Sequence, residues 1–335
     1  MNKKVNITVL VDEAEIPGGD PDFLVVPEEP TTEYHVIGAL RALGHNVSIL
    51  GAVKNVEAMF AGLKEQKPDL VFNLVEHLGG DRRFDKSIAA LLEMAEIPFT
   101  GASSTGLLLS RDKRLCKQLL GLHKIRVPRF VFLPPNKTVR LPKALYFPLV
   151  VKPAFEDSSE GISNASIVRS EEALKERVQF VHERWQQPVI AEEYIEGREL
   201  YVSVLGNKRL SVLPIRECCF DFEGDEGPRL ATYRVKWNKE YRKKWNIEFG
   251  FSKLELPVVK NIERICKKVY KVLQLRDYGR IDIRLTSDKK FYILEANSNP
   301  DLAYGEEVAE SAEKSGISYK NLIRRILNTA LRRYA

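Results

Sequence analysis

Apolar residues recur along this chain at two periods, and the switches between them mark out its elements. Short apolar runs at 7–11, 47–50 and 70–74 read as strands. Between and after them, 33–43, 56–66 and 86–95 repeat apolar residues at helical spacing. Gly44 closes the first helix and Pro68 stops the second. With Phe99-Thr100-Gly101 as a further extended piece, the alternation predicts a parallel sheet flanked by helices up to residue 106.

Beyond that point strands and helices no longer alternate. A helix opens at Ser110 and runs to Leu122, and Val127-Pro128 resumes extended chain. Residues 147–153 form a strand with Lys152 near its end. The helix 170–183 has Ser170 as its cap and Glu171 and Glu172 in its first turn. A strand at 189–194 leads to an antiparallel pair, 200–205 and 210–214, joined through Gly206-Asn207. Residues 217–250 have no steady period and read as a long loop rich in aromatics and charge. The helix 257–274 repeats Ile262, Ile265, Val269 and Val272 on one face and packs behind a hairpin of 280–285 and 291–296. Helices at 305–316 and 318–334 close the chain.

At 335 residues the chain suits two or three domains and can bury substantial cores. Its 44% hydrophobic and 29% charged content is that of a soluble globular protein. The net charge of +6 is a mild excess that a basic cleft for phosphates and scattered surface lysines would use up. The arginines Arg324, Arg325, Arg332 and Arg333 read as a solvated face rather than a nucleic-acid site. The first apolar run is broken by Asp12 and Glu13, which predicts a strand and not a signal peptide. No run approaches the roughly 18 apolar residues of a membrane span. Of four cysteines, Cys218 and Cys219 are adjacent and Cys116 and Cys266 isolated, a spacing for neither metal nor disulfides, so a reducing cytoplasm is expected.

Candidate chemistry concentrates in the hairpin. Same-parity positions on a strand share a face, so Arg280 and Asp282 project together, as do Glu295 and Asn297 on the neighbouring strand. Two carboxylates and an amide oxygen form a hard ligand set that suits Mg²⁺ held for a nucleotide. Arg280 would stand beside the phosphates or a developing oxyanion. Read from spacing alone, two surface strands with solvated charges fit equally well.

The wording Gly279-Arg280-Ile281-Asp282, then Leu294-Glu295-Ala296-Asn297-Ser298-Asn299-Pro300, resembles the last motif of the ATP-grasp ligases. It is closest to that of the D-alanine–D-alanine ligases, and the likeness extends in order over nearly the whole chain. The resemblance implies an α/β protein, with an N-terminal parallel α/β domain at 1–106 followed by two α+β lobes of an ATP-grasp fold, 107–198 and 199–335. It implies ATP and two Mg²⁺ ions, for which Mn²⁺ can substitute, on Asp282, Glu295 and Asn297. Arg280 would stabilise the tetrahedral intermediate. Lys113 of Asp112-Lys113 would meet ATP phosphate, as would Lys152 beneath a lid carrying Ser158 and Ser159. Glu192, Glu193, Ile195 and Glu199 resemble the adenine and ribose hinge, and Lys236 with Trp237 falls where a lysine reaches the γ-phosphate. Glu33, His77, Asn299 and Asp301 resemble substrate-pocket positions, although Glu33 serves equally as a favourable first-turn acid. Family members are usually dimers, which implies a homodimer acting on small carboxylate and amine substrates.

Three stretches depart from the family pattern. Asp81-Arg82-Arg83-Phe84-Asp85 replaces the acidic continuation after His77-Leu78-Gly79-Gly80, and Glu160 stands in the lid where small apolar residues are usual. Glu306 falls where the family places a serine that holds the second amino acid's carboxylate. A carboxylate facing a carboxylate in a partly desolvated site costs several kcal/mol. The sequence therefore predicts an ATP-dependent carboxylate–amine ligase whose acceptor presents a cation or hydroxyls. The rivals are a D-alanine–D-alanine ligase of cell-wall synthesis, a non-catalytic ATP-binding regulator, and a nucleic-acid binder with steep salt dependence.

Overall fold

The computed structural model describes residues 4–156, 159–220 and 230–335. Strand β1 (Asn6–Asp12) lies between β2 (Asn46–Ala52) and β3 (Leu70–Asn73), and both pairings are parallel. This is the sheet that the strand–helix alternation predicts. Alternate residues of β1 feed two cores. Ile7, Val9 and Val11 pack toward α1 (Thr32–Ala42), while Leu10 packs toward α2 (Val56–Gln66) and α3 (Asp85–Met94). The predicted extension at 99–101 contributes only one parallel bridge, Val71 to Phe99. Pairing ends there because Gly101 turns into the left-handed region at φ +88°.

The helix expected from Ser110 to Leu122 is instead two, α4 (Ser104–Arg111) and α5 (Lys113–Leu122). Asp112 breaks them with ψ 98°, and its carboxylate caps α5 by accepting from Arg114 N and Leu115 N. The next lobe is an antiparallel sheet of β4 (Phe130–Leu133), β5 (Leu149–Pro153), β6 (Ile167–Val168) and β7 (Val189–Glu193), in the order β4-β7-β5-β6. Helix α6 (Glu171–Trp185) covers it with Leu174, Val178 and Val181.

The last lobe is built on β8 (Arg198–Gly206), β9 (Leu210–Val212), β10 (Arg216–Phe220), β11 (Ile247–Phe251), β12 (Tyr278–Leu285) and β13 (Phe291–Ser298). The order is β11-β10-β8-β12-β13, with β9 on β8. The segment 217–250, expected to be irregular, carries β10, α7 (Tyr233–Trp237), α8 (Lys239–Lys244) and β11, with 221–229 outside the described residues. Val235, Ile247 and Cys218 close a small core of their own around Tyr201. Elements of five or six residues are too short to establish a period, which is why the pattern misses them.

Helix α9 (Leu256–Val272) packs Ile262, Cys266 and Val269 against Leu200, Val202, Val204, Ile281 and Ile283, one face of the sheet. Alternation then sends Glu199, Tyr201, Arg280, Asp282 and Arg284 to the other face, where the site forms. Helices α10 (Glu307–Lys314) and α11 (Tyr319–Tyr334) return to the start of the chain. Leu322, Ile323, Ile326 and Leu327 of α11 share a core with β1 and α1. At about 1.5–3 kcal/mol for each fully buried aliphatic side chain, this contact is a large share of the stability of the first domain.

Candidate active site

The hairpin brings its residues together through register. Asp282 lies opposite Glu295 and Arg280 opposite Asn297, with a bulge immediately after Asp282. Asn297 Nδ2 donates to Asp282 Oδ2 at 3.2 Å. Arg280 Nε and Nη2 donate to the two Asp282 oxygens at 2.8 and 3.0 Å, and Nη1 donates to Glu307 Oε2 at 3.1 Å. The guanidinium also lies 5.4 Å from the centre of the Tyr201 ring. Glu307 was not singled out from the sequence; its signal was only that it follows Glu306.

Burial raises the Asp282 carboxyl above the usual range, and Glu295 adds to this against the pull of Arg280. Burial acts on Glu295 in the same direction, but Lys113, Lys152, Lys236 and Arg280 outweigh it and hold that carboxyl down at about 2. Two buried, mutually repelling carboxylates beside an amide fit a small divalent cation, which would neutralise both. Among the described residues no three His, Cys, Asp or Glu side chains converge, so the set stands as two acids and Asn297.

Lysines approach from α5, which packs in the same core as the hairpin, and from β5 of the neighbouring sheet. Lys113, at the first position of α5, reaches Glu295 at 3.6 Å and also bonds the Glu156 carbonyl. Lys152 on β5 pairs with Glu192 on β7. Lys117, one turn after Lys113, lies 2.9 Å from Glu192 Oε2 and donates to the Leu294 carbonyl at 2.6 Å. Burial opposes ionisation of Glu192, yet Lys117 and Lys152 together lower its pKa. Sequence reading missed Lys117, although its spacing of four from Lys113 puts both on one helix face.

The hinge residues are already engaged. Glu199 accepts from Arg284 Nη2 at 2.6 Å and from the Tyr201 hydroxyl at 3.0 Å. Glu193 exchanges backbone contact with Arg129, donating to its carbonyl at 2.8 Å, and Ile195 is buried. Ser159 has φ +64° and donates to the Ala231 carbonyl at 2.6 Å, tying the lid to the segment before α7. Ser158 lies outside the described residues. Lys236 stands 5.8 Å from the Tyr201 ring centre.

A cavity of about 510 Å³ opens beside Arg280, Lys236 and Asn297. Glu33, Asn299, Asp301 and Glu306 also line it. Asp301 is fixed by the Thr32 hydroxyl at 2.6 Å and Ala303 N at 2.7 Å. Asn299 Oδ1 accepts from Ala102 N at 2.8 Å. Burial pushes Glu33 up. Burial, then Glu307 and Asp301, push Glu306 up to about 7. Among the described residues none of Glu33, Asp301 and Glu306 has a cation within ion-pair distance. His77 is not among the residues lining the cavity: Asp12 holds its Nδ1 at 3.1 Å, and its Nε2 accepts from Arg82 Nε at 3.2 Å. Arg216, also missed in the sequence, lines the cavity with its Nε buried and without a hydrogen-bond partner.

Comparison with known proteins bears on the family and the fold. Residues 124–328 match the family model described as D-ala D-ala ligase C-terminus, a span of more than half the chain. A D-alanine–D-alanine ligase of Aquifex aeolicus is 30% identical over 86% of this chain and 90% of its own. One of Oceanobacillus iheyensis is 31% identical over 93% of this chain and 81% of its own. A Sinorhizobium fredii protein of uncharacterised function is 32% identical over 89% of this chain and 87% of its own. The Bacillus anthracis D-alanine–D-alanine ligase complexed with ATP shares the fold, with a TM-score of 0.74 at 21% identity and 98% of each chain covered. By sequence and by the ATP-grasp fold, this chain belongs to the D-alanine–D-alanine ligase family of ADP-forming ligases.

Proposed function

We propose that this ligase joins a small carboxylic acid to an amine through an acyl phosphate, with ADP and phosphate as products. ATP phosphorylates the acid, the amine attacks the acyl carbon, and phosphate leaves as the amide forms. The observation that carries this reading is the meeting of Asp282, Glu295 and Asn297 with Arg280 and Lys113, within the field of Lys152, beside the cavity that Arg280 and Asn297 line. Phosphoryl transfer asks little covalent chemistry of a protein, so positioning and charge stabilisation do most of the catalysis. Lys113, Lys152 and Lys236 would neutralise the triphosphate, with Ser158 and Ser159 closing over it. Glu192, Glu193, Ile195 and Glu199 would hold the nucleoside, once Glu199 exchanges its present partners for ribose hydroxyls. Arg280 would stand at the oxyanion of the tetrahedral intermediate. Two Mg²⁺ ions held by Asp282, Glu295 and Asn297, or Mn²⁺ in their place, would supply charge neutralisation on the phosphates.

The acceptor reading follows from the cavity wall. Glu33, Asp301 and Glu306 present carboxyls without resident cations, which supports an amine substrate that brings a second cation or hydroxyl groups. A second reading, D-alanine–D-alanine ligation, is favoured by what the relatives are called. Phosphate release from ATP, screened over D-alanine, neutral amino acids, basic amino acids and amino alcohols, separates the two. Turnover with D-alanine alone would establish the second reading; no turnover with any pair would favour a regulatory ATP-binding protein. The family likeness also supports a cytoplasmic homodimer, which sedimentation velocity tests.

A further inference from the structure

Glu192 is the most enclosed acid of the cluster, with its side chain 2% exposed, and two lysines serve it. They serve it differently. Lys152 forms an ion pair with Oε1. Lys117, 1% exposed, lies 2.9 Å from Oε2 and shares its ammonium with the Leu294 carbonyl, to which it donates at 2.6 Å. Oε2 is therefore compensated in charge by a shared ammonium, and among the described residues it accepts no well-aligned hydrogen bond. A ligand donor aligned with Oε2 would complete its hydrogen bonding.

On the proposed ATP reading, Lys152 turns toward a polyanion and gives up much of its charge compensation of Glu192. A carboxylate this deeply buried cannot stay ionised beside phosphates on its own. We infer that Lys117 is a positioning residue for nucleotide choice: it is the permanent counter-ion that keeps Glu192 ionised, with Oε2 open to accept from the exocyclic amino group of adenine. Two features make Lys117 fit to stay while Lys152 moves. It is fastened to β13 through a backbone carbonyl, and it lies on α5, whose first residue donates from Lys113 N to the Ala154 carbonyl just after β5 at 3.2 Å. A lysine that only filled space would need neither the charge nor the proximity to Glu192.

The test compares equilibrium binding of ATP with that of purine riboside triphosphate, which lacks the amino group, to the full chain. The wild type should prefer ATP by about tenfold, the size of one charge-assisted hydrogen bond. Lys117→Met should bring that preference to about threefold or less while affinity for purine riboside triphosphate changes little. Lys117→Arg, which keeps the charge, should restore most of it, and it also serves if the methionine variant fails to fold. Lys152→Met should weaken both nucleotides alike and leave their ratio unchanged. If Lys117→Met and Glu192→Gln differ, with the ratio lost only in the latter, Glu192 reads adenine but Lys117 does not position it, and the inference falls alone. A ratio unchanged in Glu192→Gln removes the base-reading role and the inference with it. Failure of the wild type to bind either nucleotide overturns the ATP reading itself.

Discussion

Arg280 and Asp282 are joined by two parallel hydrogen bonds, Nε to Oδ1 at 2.8 Å and Nη2 to Oδ2 at 3.0 Å, although they belong to different proposed tasks. The arginine is meant for a developing oxyanion and the aspartate for a cation. Each now satisfies the other in a site where neither is more than 9% exposed. Charge left uncompensated at such depth is expensive, so on the proposed reading nucleotide and its cation would have to replace this pairing.

Asp282→Asn should lower metal-dependent phosphate release at least about a hundredfold, because an amide cannot supply the anionic oxygen a hard cation prefers. Arg280 keeps its bond to Glu307, so the variant should stay folded by circular dichroism. Unchanged turnover would remove Asp282 from the metal set.

Glu306 predicts a pH effect of definite sign. Its folded pKa, about 7, lies above the ordinary carboxyl value, so the native state holds this proton more tightly than the unfolded chain does. Stability from this group is greatest when it is protonated and falls as pH rises from about 4.5 to 7. Glu306→Gln should therefore gain on the parent by about 2 kcal/mol at pH 8, after discounting for partial exposure, and by nothing near pH 4. Urea unfolding at the two pH values measures it.

Glu306→Ser tests acceptor choice separately. If the cavity selects a cation-bearing amine, this variant should lose that preference and gain on neutral amino acids, seen in kcat/KM ratios from phosphate release. A substrate profile equal to the parent's would dismiss the altered-pocket reading.

Asp277 ties three parts of the chain together with a side chain that is fully buried. It accepts from Gly101 N at 2.8 Å, Asn207 Nδ2 at 2.8 Å and Arg333 Nη2 at 2.9 Å. Asp277→Ala leaves Arg333 without its anionic partner, with only the Phe99 carbonyl to accept from it, and should cost about 3–5 kcal/mol in denaturant unfolding.

Gly101 sits against Asn299, whose Oδ1 would be 2.3 Å from an added Cβ, and its φ of +88° already disfavours any side chain. Gly101→Ala should displace Asn299 from the cavity wall. The expected outcome is a stability loss of about 1–3 kcal/mol with a raised substrate KM.

The sequence was most informative where periods were long or ligand chemistry was local. Strand–helix alternation before residue 106 and the hairpin face carrying Arg280 and Asp282 follow from periodicity alone, and the structure reproduces both. The helix break at Asp112 was misplaced to Ser110 because residues 110–114 are all polar, so no apolar period marks the boundary and only the cap reveals it. Residues 217–250 were misread because β10, α7, α8 and β11 are each about one or two turns or bonds long, and tertiary packing around Tyr201 decides their form. Lys117 and Glu307 went unnoticed for a different reason. A lysine on an amphipathic helix and a glutamate opening one are ordinary solvated residues until strands far away in sequence close over them. His77 shows the converse, a residue marked by its glycine-rich neighbours whose ring nitrogens are taken by Asp12 and Arg82.

The shared core of β1, α1 and α11 has a bearing on how the protein is made. Synthesis delivers the first strand some three hundred residues before the helix that covers it. Until that helix has been made, the nascent amino-terminal unit must expose a greasy surface, so chaperone dependence and aggregation of chains truncated before α11 are expected of this architecture.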